Sequence, residues 1–411
     1  MRNQTPASSL SRWMIVISGG VLLGLSLGVR HSQGLLMQPV TMDQGWSLET
    51  FGFALALQNL VWGLTQPLTG LFADRYGSGR ALFLGVLAYA LGLYLMSSAQ
   101  EPAGFIVSNG VLVGVALSGT AFGTVYGALS RIFEPARRSW AIAVAGGIGG
   151  LGQFCLVPLF QQLLEQVSWQ STVMMLGLLF LVSLPCAWML RTPSTKKDAN
   201  SVKQVVGASI QQALRHKGFW LLNLGFFACG FQLAFIATYL PAYMLGQGLG
   251  VEQAATALAL IALANAFGTY VCSRCAGIWR VKNLLAGLYA TRAVAILLFI
   301  STPVTASGTY AFALTMGFLW LGTAPMTNEL VLRLFGMRYI ATLFGIVFLG
   351  HQVGGFFSVW LSAWIYERFQ TYEPLWLGAA AIGCMAAVVH WLIDDTPLST
   401  AEQSASGGVQ P

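Results

Sequence analysis

The chain has 411 residues, of which 56% are hydrophobic and only 9% are charged. An average soluble domain carries about 25% charged residues, so this composition excludes an ordinary water-soluble protein and indicates that lipid is much of the solvent. The net charge of +7 would suit a nucleic-acid-binding protein, but the placement of the basic residues indicates membrane topology instead.

Twelve apolar stretches are long enough to cross a bilayer, for which about 20 residues are needed. They lie near residues 13–38, 50–72, 80–98, 104–130, 138–163, 169–190, 219–244, 253–276, 283–302, 308–332, 340–364 and 375–393. The first stretch is too long for the apolar region of a cleavable signal peptide. The sequence therefore predicts an all-α membrane protein with twelve transmembrane helices.

A polar segment after the sixth stretch predicts a division into two six-helix halves. We expect an N-terminal half over residues 1–191, a cytoplasmic linker over 192–218, a C-terminal half over 219–397 and a disordered cytoplasmic tail over 398–411. The fifth and eleventh helices open on related sequences, one starting at Arg138 and the other at Arg338. Two related six-helix halves are typical of transporters.

The basic residues lie on one side of the predicted membrane when the N-terminus is placed in the cytoplasm. Of the 21 lysines and arginines, only Arg368 falls in an outer loop, and Arg30 and Arg292 fall inside spans. Cytoplasmic loops carry an excess of lysine and arginine, so both termini are predicted to be cytoplasmic. We expect a monomer in the cell membrane, which in a bacterium is the inner membrane.

The loop between the second and third predicted helices carries the most specific motif. It reads Gly70-Leu-Phe-Ala-Asp74-Arg75-Tyr-Gly77-Ser-Gly-Arg80. It resembles the G-x-x-x-D-R-x-G-x-x-R loop of the major facilitator superfamily, and the resemblance covers nearly the whole chain. The resemblance implies the major facilitator fold and a gating role for these five named residues, in which the acid pairs with arginines to hold the cytoplasmic gate shut.

The corresponding loop of the second half runs from Ser273 to Lys282 and is a degraded copy of this motif. Gly277 stands where the acid would be. We therefore expect the two halves to contribute unequally to the gate.

A narrower resemblance concerns the monocarboxylate porter and oxalate:formate antiporter branch of that superfamily. The loop and helix from Arg131 to Gly152 are similar to that branch's F-x-x-R-R-x-x-A-x-G segment, which adds Arg137 and Arg138 to the gating residues. The branch often places an arginine in helix eight after Asn-x-x-Gly. Here Thr269 follows Asn265-Ala-Phe-Gly268, which disfavours a dicarboxylate such as oxalate.

Two histidines fall where this branch carries lysines. His31, beside Arg30 in the first helix, stands at the position of a substrate lysine, and His351, beside Gln352 in the eleventh, stands at that of an essential lysine. Consecutive helical residues point about 100° apart, so we favour Arg30 as the anchor for substrate. The alternatives are a snorkelling Arg30 and a His351 that only packs.

Other polar residues inside the spans are candidates either for lining the path or for joining helices. The predicted substrate-binding set is Arg30, His31, Asn59, Tyr126, Asn265, His351 and Gln352. Arg292, in the usually peripheral ninth helix, is better explained by structural pairing. No Asp or Glu lies in mid-span, which predicts a positive cavity and an anionic substrate.

These features predict a secondary transporter of a small organic anion, a monocarboxylate, that works by alternating access and is coupled to protons or a counter-anion. His31 and His351 are the groups able to titrate near neutral pH within the spans. The alternative is an exporter of neutral or amphiphilic compounds, in which Arg30 and His351 are structural. Substrate competition in proteoliposomes would separate the two.

A membrane enzyme or receptor is disfavoured. The sequence shows no nucleotide-binding loop, nucleophile constellation or metal cluster, so we predict no cofactor and no metal. The six cysteines lie in apolar stretches and are expected to pack helices together. The glycine run from Gly146 to Gly150 lies inside a predicted membrane helix and indicates close helix packing.

The predicted orientation can be tested by cysteine labelling in intact cells. A membrane-impermeant maleimide should react with Ser307→Cys and Gln370→Cys from outside, because both positions fall in predicted outer loops. Ser194→Cys should react only after permeabilisation. Labelling of Ser194→Cys in intact cells, above the background of the parent protein, would reverse the orientation.

Overall fold

The computed structural model describes residues 9–192, 211, 213–276, 278–335 and 340–396 of the chain. Within these ranges every regular element is a helix, as the composition predicted. Residues 193–210, which make up most of the predicted linker, and the predicted tail over 398–411 lie outside them. The domain boundaries placed in those segments therefore stay predictions.

The first half is built from helices separated by short breaks. Its described α-helices are α1 (Ser9–Ser32), α2 (Met37–Gln44), α3 (Leu48–Tyr76), α4 (Ser78–Ser97), α5 (Pro102–Phe105), α6 (Val113–Thr120), α7 (Phe122–Ile132), α8 (Pro135–Gln166), α9 (Trp169–Val182) and α10 (Leu184–Met189). A 3-10 helix over Gln33–Leu36 joins α1 to α2, and a π-helix over Ile106–Leu112 joins α5 to α6.

The second half follows the same plan with fewer interruptions. Its described α-helices are α11 (Lys217–Gly246), α12 (Val251–Ala276), α13 (Val281–Ser301), α14 (Ala306–Phe318), α15 (Thr323–Phe335), α16 (Ile340–Phe369) and α17 (Glu373–Leu392). The end of α17 precedes Asp394 and Asp395, which lie outside the predicted span.

The prediction of twelve membrane helices in two six-helix halves is confirmed. Ten of the described helical stretches are long and apolar enough to cross a membrane. The second predicted span is α3, a helix of 29 residues whose amides Gln58, Asn59 and Gln66 lower its hydropathy. The tenth consists of α14 and α15, which are 13 residues each.

Several spans that we predicted as continuous helices are interrupted. The fourth breaks at Ala121, whose backbone is extended, and the tenth breaks between Phe318 and Thr323. Hydropathy averaged over a window of about 20 residues does not detect such breaks. In lipid, each backbone group freed by a break must be paired within the protein, so the breaks create a need for polar side chains.

Glycines allow the closest helix contacts. A Cβ at Gly24 in α1 would lie 3.0 Å from the Cα of Gly152 in α8. One at Gly150 would lie 3.0 Å from the Cβ of Ala266 in α12. Small residues let backbones approach in this way, so the run Gly146–Gly150 packs helices, as predicted.

The two halves are packed against each other through α3 and α16. A Cβ at Gly52 would lie 2.6 Å from the Cβ of Ala363, and a Cβ at Gly63 would lie 2.8 Å from the Cβ of Gln352. These contacts extend from the predicted outer ends of both helices to their middle. They place the polar residues of mid-α3 directly beside those of mid-α16.

Gly354→Ala should destabilise the fold. A Cβ at Gly354 would overlap the backbone oxygen of Phe227 in α11, and neither backbone can move alone. We expect a loss of about 1–3 kcal/mol, seen as a lower thermal unfolding midpoint of the purified protein in detergent. Gly287→Ala is the matched control, because nothing lies within 4 Å of a Cβ there. Equal losses in both variants would contradict the packing argument.

Candidate functional site

Arg30 is a buried cation at the end of α1, with 8% of its surface exposed. Its Nη2 donates a hydrogen bond of 3.0 Å to Oδ1 of Asn59. Asn59 is fixed by its own Nδ2, which donates to the carbonyl of Leu55 at 3.0 Å. No acid in the described part of the chain forms an ion pair with Arg30, and its Nε–H has no hydrogen-bond partner. No described acid therefore neutralises the charge of the guanidinium, and its Nε–H is available to donate to a ligand.

His31 points away from Arg30, toward the second half. Its Nε2 lies 3.1 Å from the carbonyl oxygen of Leu258 in α12. Its ring meets the indole of Trp320 edge to face, with 6.0 Å between the ring centroids. These two consecutive residues of α1 therefore contact different helices. Arg30 contacts the second span, and His31 joins the two halves.

His351 and Gln352 form a pair at the middle of α16. Nδ1 of His351 lies 2.9 Å from Oε1 of Gln352, so the ring donates and the amide accepts. The imidazole is also packed against Phe226 and Phe348, at centroid distances of 4.8 and 5.8 Å. The Gln352 side chain is buried at 2% exposure, and its Nε2 has no hydrogen-bond partner.

The packing of α3 on α16 brings these groups together. Asn59, which holds Arg30, lies one helical turn from Gly63, which packs on Gln352. A Cβ at Gly355, one turn beyond Gln352, would lie 3.3 Å from Asn59 Cγ. Two buried donors without acceptors, on Arg30 and Gln352, therefore lie in the same region. An unsatisfied buried donor costs about 1–3 kcal/mol, so the site can bind an oxygen acceptor favourably.

Tyr126 and Asn265 have other surroundings. The hydroxyl of Tyr126 faces Gly146 of α8, where an added Cβ would lie 2.7 Å away. Asn265 Oδ1 accepts a hydrogen bond of 3.0 Å from the backbone N–H of Leu321. That N–H is freed by the break between α14 and α15, so Asn265 stabilises the break.

Arg292 stabilises the same break from the ninth span. It is completely buried, and its Nη2 donates to the carbonyl oxygens of Leu319 and Trp320. Its Nη1 lies 3.5 Å from the sulfur of Cys229. A cation at the C-terminal end of α14 also compensates the helix dipole. These contacts match the structural pairing that we favoured for Arg292.

A buried cluster of three amides was not predicted. Nε2 of Gln33 and Nε2 of Gln58 both donate to Oδ1 of Asn109, at 3.0 and 2.9 Å. The cluster joins the 3-10 helix, α3 and the π-helix. Each of the three amides interrupts an otherwise apolar stretch, and this interruption is the sign in the sequence that could have indicated the cluster.

The predicted gating loop is tied to the end of the sixth span. Oγ of Ser78 donates to the carbonyl of Leu190 at 2.7 Å, and the N–H of Ser78 donates to Oγ1 of Thr192 at 3.0 Å. Gly77 adopts φ of 93°, a left-handed conformation that favours glycine.

The gating residues whose side chains the structure describes have separate partners. Arg75 lies over the ring of Tyr76 at 5.3 Å, and Arg80 is exposed. Arg138 donates to the carbonyl of Phe133 at 3.1 Å. A Cβ at Gly70 would meet nothing within 4 Å. The side chain of Asp74 lies outside the described part of the structure.

In the second half, charged residues hold the loop that corresponds to the gating loop. Arg280 forms an ion pair with Asp395, which follows α17, and Nζ of Lys282 donates to the carbonyl of Ile393 at 2.7 Å. The hydrogen bond from Arg280 lowers the pKa of the Asp395 carboxyl, and the same bond raises the pKa of Arg280. An acid absent from this copy of the motif is thus supplied from a distant part of the chain.

Comparison with known proteins identifies the family of this chain. Residues 7–359 match the profile of the Major Facilitator Superfamily. The chain is 25% identical to Monocarboxylate transporter 13 of Bos taurus, over 94% of this chain and 91% of that protein. It is 25% identical to the Oxalate:formate antiporter of Oxalobacter formigenes, over 87% and 86%. A crystal structure of the D-xylose-proton symporter shares the fold, with a TM-score of 0.73 at 13% identity over 95% and 100% of the two chains.

The ion pair of the second half can be tested by hydrogen exchange. Asp395→Asn should raise exchange in the segment over 278–283 by up to about five-fold, because Arg280 is exposed and such pairs are weak. The carboxyl pKa is lowered, so wild-type protection should hold at neutral pH and fall as the pH drops through that pKa.

Asp394→Asn is the control for this experiment. It removes the same charge, but Asp394 Oδ1 accepts from the N–H and hydroxyl of Thr396 rather than from Arg280. Equal exchange in both variants would show that the Arg280–Asp395 contact does not hold the loop.

Proposed function

Because this chain belongs to the Major Facilitator Superfamily, we propose that it is a secondary active transporter that moves a small organic anion, a monocarboxylate, across the cytoplasmic membrane by alternating access. The chain is a multi-pass membrane transport protein and not an enzyme. The nature of the substrate and the mechanism are the new elements of the proposal.

The proposal rests mainly on the burial of Arg30 without an acidic partner among the described residues. It is a buried guanidinium whose hydrogen-bond partner, Asn59, is neutral. A charge in the membrane interior is costly, and such residues mark substrate or ion pathways. A carboxylate would neutralise Arg30 and accept from its Nε–H, and Gln352 Nε2 offers a second donor nearby. One guanidinium and one amide suit a single carboxylate group.

The names of two relatives agree with this substrate class. One relative is named as a monocarboxylate transporter and another as an oxalate:formate antiporter, and both names refer to carboxylates. Thr269 stands where the monocarboxylate porter and oxalate:formate antiporter branch often has an arginine, and the loss of that charge disfavours a substrate with two carboxylates.

His351 is the proposed link to protons. Its Nδ1–H donates to Gln352, which places the imidazole beside the proposed anion site. A protonated His351 would add positive charge beside the anion and strengthen its binding. By linkage, a bound anion would equally favour protonation. Proton and anion would then cross together, and exchange for a counter-anion is the alternative form of coupling.

Alternating access would proceed by rocking of the two halves. The packed contacts of α3 with α16 close the predicted outer side in the conformation seen. We assign the gating role on the predicted cytoplasmic side to the motif residues Gly70, Asp74, Arg75, Gly77 and Arg80 with Arg137 and Arg138. In the opposite state these groups would meet the other half.

Arg30→Gln should abolish anion binding, because it removes the charge that the anion neutralises. A buried charge-assisted hydrogen bond contributes about 1.5–3 kcal/mol, or roughly 10- to 100-fold in affinity. Arg30→Lys should retain partial binding, since it keeps the charge but loses the planar fork. Binding of pyruvate or lactate to purified protein by calorimetry, and uptake into proteoliposomes, are the measurements.

Arg215→Gln is the control, since Arg215 is an exposed arginine remote from the site. Wild-type anion affinity in folded Arg30→Gln protein would remove Arg30 from the site. Competition by neutral amphiphiles but not by monocarboxylates would instead support the exporter of neutral or amphiphilic compounds.

A further inference from the structure

A cavity lies at one end of the first and fifth spans, far from Arg30. It has a volume of about 290 Å³ and is lined by Arg12, Trp13, Arg137 and Trp140. Arg12 and Trp13 open α1, and Arg137 and Trp140 open α8. Arg12 and Trp140 are also the first residues of two apolar membrane stretches, so the cavity lies at the predicted membrane boundary.

The cavity carries positive charge without a described counter-charge. Arg12 and Arg137 both line it, and no ion pair in the described part of the chain includes either. Two guanidiniums that face one small space repel each other unless an anion lies between them. The charge therefore favours an anionic group in this cavity.

The walls of the cavity are indoles. Trp13 and Trp140 meet edge to face, with 5.1 Å between their centroids, and both remain exposed, at 46% and 38%. Tryptophan is enriched where membrane meets water, because its ring is apolar and its N–H is polar. This wall would suit a ligand that is charged at one end and apolar at the other.

One further exposed apolar residue, Leu151, lies along α8 on the same face as Trp140. Leu151 lies 11 residues after Trp140, which places the two within about 20° on the helix. Leu151 is 54% exposed. An acyl chain that leaves the cavity along this face would therefore remain in contact with apolar side chains as it enters the bilayer.

We propose that this cavity binds the phosphate headgroup of an anionic phospholipid, with its acyl chains lying along α8. Basic pockets between membrane helices on the cytoplasmic side bind such headgroups. The site is separate from the proposed substrate site, because Arg12 and Arg30 are separated by 18 residues of α1, or about 27 Å. Arg137 also belongs to the proposed gating set, so Arg12, which has no proposed gating role, is the residue to substitute.

The test is native mass spectrometry of the purified full-length protein with added phosphatidylglycerol. Wild-type protein should retain phosphatidylglycerol in preference to phosphatidylcholine. Arg12→Gln should weaken phosphatidylglycerol binding about five-fold, and Arg12→Lys should weaken it less. Thermal unfolding of the lipid-free variants should match wild type, which shows that a loss of lipid is not a loss of fold.

Arg215→Gln is the matched control, since it removes the same charge from an exposed position away from the cavity. It should bind phosphatidylglycerol as wild type does, and an equal loss would show diffuse attraction and overturn the proposal. Displacement of the lipid by inorganic phosphate would indicate a site for free anions and would also overturn it. Equal retention of phosphatidylcholine would show that the cavity does not recognise the negative charge of the headgroup, and it would also overturn the proposal.

Discussion

The polar chemistry inside this protein is governed by the lack of hydrogen-bond partners in lipid. Wherever a membrane helix breaks, the freed backbone groups must be satisfied by protein. At the break between α14 and α15, Arg292 satisfies two carbonyls and Asn265 satisfies the N–H of Leu321. These contacts of Arg292 and Asn265 are therefore explained by the architecture, and only the Nε–H of Arg292 is left without a partner among its donors.

The same reasoning isolates the residues that remain unexplained. Where α3 packs on α16, Arg30 Nε and Gln352 Nε2 are buried donors that no helix break and no acid among the described residues uses. They lie on opposite halves, and the packing of α3 on α16 brings the two regions together. A ligand held there would be contacted from both sides, which is the geometry that alternating access requires.

The sequence predicted the helices well, because the number of apolar stretches and the length of a membrane span are both local properties. It did not predict the break in the tenth span, so it could not show that the side chain of Asn265 accepts a hydrogen bond from the backbone of Leu321. Nor could it predict Asp395 as the partner of Arg280, because a contact across 115 positions leaves no local pattern. The divergence of Arg30 and His31 was predictable, because it follows from the helical repeat alone.

The contact between Gly24 and Gly152 restricts which movements are available to the first half. Two backbones that touch without intervening side chains have no rotamers to rearrange. The first and fifth helices are therefore in direct backbone contact, which favours their movement as one body. If the halves rotate as we propose, Arg30 would move with this helix pair and would need no rearrangement of its own side chain.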